Sequence, residues 1–348
     1  MRESAVLPAL PGAASPGVWT LAWRRFCRDR LGLACLVVVV IYGAVMAACA
    51  AGWIVRDWSE EVAVTFAPPT FLGPEAPRGA PAAAAATAPQ GALEDYGIPD
   101  PLADDLAEIA RELSGVSPTE TRAATLAFGA DKWGRDVLKK AVKGTETSLL
   151  VGLVAAALAA FLGTLFGALA GYHGGWIDDF FNWLYSVFTS IPYLLLVLAV
   201  AAVVNQKGVL TVILILGLTG WTGIFRLIRA EYMKHKVREY VLAADAIGAS
   251  AARRMFIHIL PNVSHVVLVQ LSLHVVLFIK SEVILSFLGF GVGVDTVSWG
   301  SMLAEAQSEL ILGKWWQIAA ATFAMAVLVT AFSLLTDALR DALDPRLK

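Results

Sequence analysis

The sequence predicts an all-α protein that crosses a membrane about six times. Of its 348 residues, 57% are hydrophobic and only 16% are charged, and the mean hydropathy is +0.66. Soluble domains carry closer to about a quarter charged residues, so the apolar surplus indicates a lipid environment. Several apolar stretches also reach the roughly 20 residues that a helix needs to cross a hydrocarbon core about 30 Å thick.

Six candidate membrane helices follow one another along the chain. The first, 31–55, comes after an arginine-rich tail, and its length disfavours the competing interpretation as a signal peptide, whose apolar region spans about 7–15 residues. The other five candidates are 149–171, 180–204, 208–228, 263–288 and 315–336. Pro192 is expected to bend the third helix. Trp315 and Trp316 are expected to anchor the sixth helix at the membrane interface.

The distribution of Lys and Arg predicts the orientation of the chain. The tail, 1–30, has five arginines against two acidic residues, and the segment 226–258 has seven basic residues against three acidic ones. Because Lys and Arg concentrate in cytoplasmic loops, both termini and this segment are expected to be cytoplasmic. The turn 172–179 departs from this rule, since it carries Asp178 and Asp179 without Lys or Arg.

This orientation places a large loop, 56–147, outside the membrane, between the first and second helices. Its Pro- and Ala-rich middle, 67–92, predicts an extended spacer. Beyond it lies a predicted amphipathic helix, either a lid or a docking surface, with apolar residues three and four apart: Leu102, Leu106, Ile109 and Leu113. The predicted divisions are the basic tail 1–30, the first helix 31–55, the external loop 56–147 and the core 148–348.

The segment between the fourth and fifth helices, about 229–260, is unusual for a membrane-protein loop. Gly248 suits the position that follows a short helix, because glycine adopts a positive φ without penalty. Ser250 suits the N-cap of a second helix, and Pro261 is expected to break the chain before the fifth membrane helix. Ala244 and Gly248 are four residues apart, which predicts a face almost bare of side chains on which another protein docks.

This segment resembles the EAA loop of ABC importer permeases, in which Glu-Ala-Ala, three residues, Gly and nine residues precede Ile-x-Leu-Pro. The matching positions are Ala243, Ala244, Gly248, Leu260 and Pro261. Leu242 and His258 depart from the general pattern in a way that resembles the dipeptide/oligopeptide branch of the family. Asp245 stands where that branch usually has Arg.

Further motifs resemble the same branch, in the same order along the chain. They are Phe128–Leu138, which is similar to the branch's GTDxxGRDVL motif, and 285–289, 298–300 and 339–346, which are similar to its C-terminal motifs. The resemblance covers about 20–56 and 126–348. The insert 57–125 is not covered, so the resemblance implies nothing about its role.

The resemblance implies a type I ABC importer permease fold in the bacterial inner (cytoplasmic) membrane, and a coupling helix in the loop that lodges in a groove of an ATPase subunit. The residues assigned to this coupling are Arg238, Glu239, Tyr240, Ala243, Ala244, Asp245, Gly248, Ala249, Ser250, Leu260 and Pro261. The implied partners are a second, homologous permease, two ATPase subunits and an external solute-binding protein. The sequence has no Gly-x-x-x-x-Gly-Lys-Ser/Thr motif for phosphate binding, so ATP and Mg²⁺ are expected on the ATPase subunits. No catalytic residue, cofactor or metal site is expected in this chain.

Ionisable residues inside the predicted fifth helix are functional candidates by default. Lys280 and Glu282 project about 200° apart, so they cannot pair with each other. Both are expected within two turns of the external end, where long side chains reach the headgroups. Packing or inter-subunit pairing and lining of the solute path both stay open for them, whereas His274 is expected to be a hydrogen-bonded bundle residue. A stripe of small residues predicts helix packing on the second helix: Gly163, Gly167 and Gly171.

The sequence disfavours two other functions of a polytopic membrane protein. An ion-coupled secondary transporter would also be polytopic, but such folds commonly contain inverted repeats, and none is evident here. A membrane enzyme would need a cluster of catalytic or metal-binding residues, which the sequence does not show. Short basic clusters without one basic face argue against nucleic acid as a partner. The sequence therefore favours a permease subunit of an ATP-driven importer for peptides or similar solutes, without identifying the solute.

Overall fold

The computed structural model describes residues 23–74, 122–293 and 295–343. Within these ranges the secondary structure is helical, with isolated β-bridges but no strands, which confirms the predicted all-α class. The chain divides into two units. The bundle unit comprises 1–55, 141–305 and 321–348, and the loop unit comprises 56–140 and 306–320.

Besides a helical turn at 23–26 and the short 3-10 helix Thr70–Leu72, the helices of the described ranges are α1 (Arg30–Ala50), α2 (Val137–His173), α3 (Gly175–Thr189), α4 (Tyr193–Val204), α5 (Val209–Thr219), α6 (Thr222–His235), α7 (Glu239–Ala246), α8 (Ala251–Phe287), α9 (Trp299–Ile311) and α10 (Trp316–Leu343). Among them, five helical stretches are long and apolar enough to cross a membrane, namely α1, α2, α5 with α6, α8 and α10. The bent pair of α3 and α4 makes a sixth if it is counted as one span. The number of predicted crossings is thereby confirmed.

The helix α2 begins twelve residues before the predicted 149, at Val137. Asp136 caps its first turn, since its Oδ1 accepts hydrogen bonds from Leu138 N at 2.8 Å and Lys139 N at 3.3 Å. This N-cap lies in a polar stretch, so the length of the apolar run alone underestimates the helix.

The predicted third helix is broken rather than gently bent. Its two parts, α3 and α4, meet at 86°. Pro192 causes the break, because proline has no N–H to donate and disfavours helical geometry at Ile191. The predicted position of the bend is confirmed, but a single continuous helix over 180–204 is wrong.

Pro261 does not break the chain before the fifth membrane helix, as the sequence predicted. The helix α8 continues through it from Ala251 to Phe287. A π-helical turn, Arg254–Ile259, precedes the proline, and Leu260 N donates to Met255 O, one residue beyond the α-helical partner. Pro261 then falls in the first turn of the α-helical segment that follows, where a missing N–H is tolerated.

The predicted packing role of the glycine stripe on α2 is confirmed. A Cβ atom at Gly163 would lie 2.7 Å from Ile224 Cβ, and one at Gly171 would lie 2.5 Å from Arg229 O. Only glycine permits α2 to approach α6 so closely. The buried core beside this contact includes Ile224, Ile228, Tyr232, Met255 and Ile259.

The loop unit is organised around Asp131, whose side chain is fully buried. Its Oδ1 accepts hydrogen bonds from Trp133 N at 2.8 Å and Arg135 N at 2.9 Å, and its Oδ2 accepts one from Lys140 Nζ at 2.7 Å. A Cβ atom at Gly134 would lie 2.1 Å from Ala63 O. The motif Phe128–Leu138 is therefore a tight, hydrogen-bonded turn.

The predicted spacer 67–92 starts too early. Ala67 is buried, and Thr70 N donates to Leu126 O at 2.8 Å, so the first residues of this stretch belong to the loop unit. The small Ala67 side chain allows the chain to pack against its neighbours there. The rest of the spacer, and the amphipathic helix with Leu102, Leu106, Ile109 and Leu113, lie outside the described residues.

Candidate coupling surface

Gly248 ends α7 as the sequence predicts. Its φ is +82°, its N–H donates to Asp245 O at 2.8 Å, and Ala249 N donates to Ala244 O at 3.0 Å. These two hydrogen bonds form a Schellman motif, which satisfies the last carbonyl groups of the helix. An eight-residue helix in water would be marginal on its own, so this cap and the packing beneath it determine its position.

Ser250 caps the next helix, which was also predicted. Its Oγ accepts a hydrogen bond from Arg253 N at 3.3 Å. The two caps are therefore separated by Ala249 alone. This short connection gives α7 and α8 a defined relative position.

The inner face of α7 carries Val241 and Ala244. Val241 belongs to the buried cluster with Tyr232 and Met255, and Ala244 is only 5% exposed. The predicted bare outer face is therefore wrong for Ala244. Ala244 lies three residues after Val241, on the same side of the helix, and its small side chain lets α7 approach the bundle.

The outer face of α7 and of the turn that follows it is mainly apolar instead, with the exposed Glu239 in the first turn. Its apolar part consists of Leu242, Ala243, Ala246, Ile247 and Gly248, which are all exposed. Leu242 is 55% exposed and Ile247 is 85% exposed. Two large aliphatic side chains held outward on a capped helix form a surface suited to a hydrophobic groove of a partner.

Asp245 forms an ion pair with Arg254, on the first turns of α8. The Arg254 guanidinium also lies 5.7 Å from the centre of the Tyr172 ring. Asp245 is the residue that departs from the related branch, and the ion pair gives it a role in joining α7 to α8. The sequence contained the signal, an acid and a base on either side of the Gly248 turn, but not their contact.

A second ion pair explains the acidic turn 172–179. Arg229 Nε and Nη2 donate to the two carboxylate oxygens of Asp178, both at 2.6 Å. Lys236 Nζ donates to Tyr172 O at 3.5 Å. The start of α3 therefore lies against the basic C-terminal half of α6, at the same end of the bundle, and Arg229 balances the charge of Asp178.

The remaining predicted coupling residues lie mostly at the surface. The exposed ones are Arg238, Glu239, Tyr240, Ser250 and Pro261, and the half-buried ones are Ala249 and Leu260. The Tyr240 hydroxyl lies 2.7 Å from His235 Nδ1. Partial burial raises the pKa of Tyr240, so its hydroxyl is neutral at physiological pH.

The three ionisable candidates that the sequence placed in the fifth membrane helix occupy different environments. Glu282 is 0% exposed, so the prediction that its side chain reaches the lipid headgroups is wrong. Ser148 Oγ donates to its Oε2 at 2.8 Å, and Ser286 Oγ donates to its Oε1 at 2.7 Å. Hydroxyl partners inside the bundle hold it there. Lys280 is exposed on another side of the helix. His274 is buried, with its Nδ1 2.8 Å from Gln270 O.

Apolar spans with a capped, outward-facing helix between two of them define a polytopic membrane transport protein. The chain belongs to the family described as binding-protein-dependent transport system inner membrane component, whose model matches residues 163–348. Residues 17–69 match the N-terminal TM domain of oligopeptide transport permease C. The predicted resemblance to ABC importer permeases is confirmed, and the chain is a multi-pass inner-membrane protein.

Curated relatives support the same family. The dipeptide transport system permease protein DppC of Bacillus subtilis is 37% identical over 64% of this chain and 69% of the relative. The oligopeptide transport system permease protein OppC of Bacillus subtilis is 35% identical over 64% and 72%. OppC of Haemophilus influenzae is 33% identical over 63% and 70%. These relatives are transport permeases rather than enzymes.

Proposed function

We propose that this chain is one of two permease subunits of an ATP-driven importer, and that it forms half of a pathway for peptides or similar small solutes. The outer face of α7 carries the proposal, because it presents Leu242 and Ile247 to a partner between two membrane spans. The relatives named as dipeptide and oligopeptide permeases support the solute class. An external binding protein would deliver the solute.

The contacts of α7 would allow it to transmit a movement of its outer face to the membrane helices. Val241 and Ala244 seat its inner face on the bundle, and the Asp245–Arg254 pair joins it to α8. A push on the outer face would therefore move α6 and α8 rather than bend the loop. Closure of two ATPase subunits would supply the push, with ATP and Mg²⁺ bound to those subunits. The permease helices would then alternate between inward-open and outward-open states.

This function requires α7 and both termini to be cytoplasmic. The excess of Lys and Arg in the tail and in 226–258 supports that orientation. The acidic turn 172–179 no longer opposes it, since Asp178 is paired with Arg229. An ion-coupled secondary transporter, the alternative from the sequence, is disfavoured by membership in a binding-protein-dependent family.

The test is co-purification of the two ATPase subunits with the permease pair from membranes. Ile247→Glu should lose the ATPase subunits while it still inserts and binds the second permease. Ile311→Glu is the matched control, because Ile311 is also 85% exposed but lies in the loop unit. Equal retention of the ATPase subunits by both variants would refute the docking assignment. Peptide uptake into proteoliposomes containing the complete wild-type complex, dependent on ATP and the binding protein, tests the transport function itself.

A further inference from the structure

Glu282 lies near the end of α8 opposite α7, inside the bundle unit. Its carboxyl group is fully buried and accepts hydrogen bonds from Ser148 on α2 and from Ser286 on its own helix. Placing a carboxyl group in a membrane-spanning bundle costs free energy, and such residues mark functional sites by default. An apolar residue of similar volume would avoid this cost, so stability alone does not account for Glu282.

The hydrogen bonds of Glu282 continue to the start of α9. Trp299 N donates to Ser148 Oγ at 3.3 Å, and Trp299 Nε1 donates to Ala141 O at 3.0 Å. Trp299 is completely buried. We call this set, Ser148, Glu282, Ser286 and Trp299, the Glu282 hub. It ties α2, α8 and α9 together at one place.

The backbone around the hub is packed too closely to slide. A Cβ atom at Gly300 would lie 2.7 Å from Val283 O, and one at Gly144 would lie 3.0 Å from the Trp299 ring. Val292 N, in the turn after α8, donates to Ser286 Oγ at 3.4 Å. The turn and the start of α9 must therefore follow the end of α8 when it moves.

The helix α8 connects this hub to the coupling surface. It runs without a break from Ala251, beside the Ser250 cap, to the hub, which is about 45 Å of helix at 1.5 Å per residue. Near one end Arg254 pairs with Asp245 of α7. Near the other end Glu282 accepts from Ser148 of α2, whose Oγ in turn accepts from Trp299 N at the start of α9. Rigid helices with hydrogen-bonded ends are the elements that carry coupling between distant sites.

We propose that Glu282 is a positioning residue of the transport cycle. Its carboxyl clamps α8 to α2 and α9, so that motion entering at α7 reaches the turn after α8 and the start of α9. The proposal rests on the importer function proposed above. It assigns Glu282 to transmission between the two ends of the bundle, in place of a contact with solute or lipid headgroups.

The proposed clamp depends on the hydrogen bonds of the Glu282 carboxyl group. The expected effect of each substitution therefore follows from the hydrogen bonds that it keeps or removes. Glutamine can accept from one serine hydroxyl and donate to the other, because a hydroxyl group acts in either role. Glu282→Gln should therefore preserve the hub. Glu282→Leu keeps the approximate volume and removes every hydrogen bond of the carboxyl. Ser148→Ala removes the hydrogen bonds that join α2 to Glu282 and to Trp299 N.

The experiment uses the complete importer, with both permeases, the ATPase subunits and the binding protein, in proteoliposomes. The readout is the ratio of binding-protein-stimulated to basal ATPase rate at equal amounts of assembled complex. Glu282→Leu and Ser148→Ala should lower this ratio by roughly 3- to 30-fold, the range expected when a coupling network loses a member. Glu282→Gln should restore it. Thr145→Val is the matched control, since the buried Thr145 hydroxyl donates to Ala141 O of its own helix and, among the described residues, not to α8 or α9.

The outcomes separate the two proposals. A wild-type complex without stimulated ATPase or uptake would refute the importer function. A working wild type with an unchanged ratio in both Glu282→Leu and Ser148→Ala would refute the clamp alone. If the Glu282→Leu complex does not assemble, Ser148→Ala is compared with Thr145→Val instead. Equal ratios of stimulated to basal ATPase rate in these two variants would refute the clamp. A Glu282→Gln variant as impaired as Ser148→Ala would also overturn it, because the hub would then need the charge.

Discussion

Arg254 and Asp245 form an ion pair across the turn that joins α7 to α8. The pair spans the Gly248 and Ser250 caps, so the helix that would meet an ATPase is attached to a membrane span through side chains as well as backbone. Asp245 is 56% exposed at its side chain and Arg254 is 20% exposed, which limits the pair's contribution to global stability to about 1 kcal/mol. Its main effect is on the orientation of α7.

Breaking this pair should reduce coupling more than stability. We expect Asp245→Ala to lower the binding-protein-stimulated ATPase rate by roughly 2- to 5-fold, within the range for a coupling residue. The melting temperature of the purified complex should stay nearly unchanged. The exchange Asp245→Arg with Arg254→Asp should recover most of the rate. Failure of the exchanged variant, with Asp245→Ala itself normal, would show that the pair does not orient α7.

Substitution of Gly248 should act through the backbone. Apart from the adjacent residues in the chain, no heavy atom of the described residues lies within 4 Å of a Cβ atom built there, so steric contact is not the obstacle. At φ +82° a β-branched residue is strained, at a cost of about 1–2 kcal/mol. Gly248→Val should therefore uncouple ATPase stimulation, whereas Gly248→Asn, which tolerates left-handed geometry, should nearly preserve it. Equal stimulation by both variants, measured in proteoliposomes, would contradict this explanation.

Ala244 and its neighbour Ala243 should respond differently to a charge. Ala244→Glu would bury a carboxylate beside Val241, so the purified subunit should melt at a clearly lower temperature. Ala243→Glu adds the same charge on the exposed outer face. It should keep the melting temperature and lose ATPase co-purification. Identical melting temperatures would mean that α7 presents its other face to the partner.

Reporter fusions test the predicted orientation. A phosphatase that is active only outside the cytoplasm should be inactive when fused after Lys236 or Lys348, and active when fused after Ala86. The physical basis is the concentration of Lys and Arg in the tail and in 226–258. Activity at Lys236 would reverse the orientation and place α7 on the wrong side for an ATPase.

The number of spans and the two helix caps of the coupling segment could be predicted from the sequence. A helix that crosses a membrane requires about 20 consecutive apolar residues. Because such a run is a local property of the sequence, the number of crossings can be predicted without a structure. The positive φ at Gly248 and the cap at Ser250 are equally local, because each depends on residues within one turn. The loop motif with Gly248, Leu260 and Pro261 was sufficient to predict the family.

Which side chains face inward and which charges form ion pairs could be learned from the folded structure but not from the sequence. Ala244 is covered because α7 packs on Tyr232 and Met255, and Asp178 is balanced because α6 brings Arg229 to it. Glu282 is held inside the bundle by a hydrogen bond from Ser148, which lies 134 residues earlier in the sequence and on a different helix. The burial of a side chain and the formation of an ion pair depend here on residues that lie far apart in the chain. The spacing of residues along one helix does not specify which other helices the fold places beside that helix.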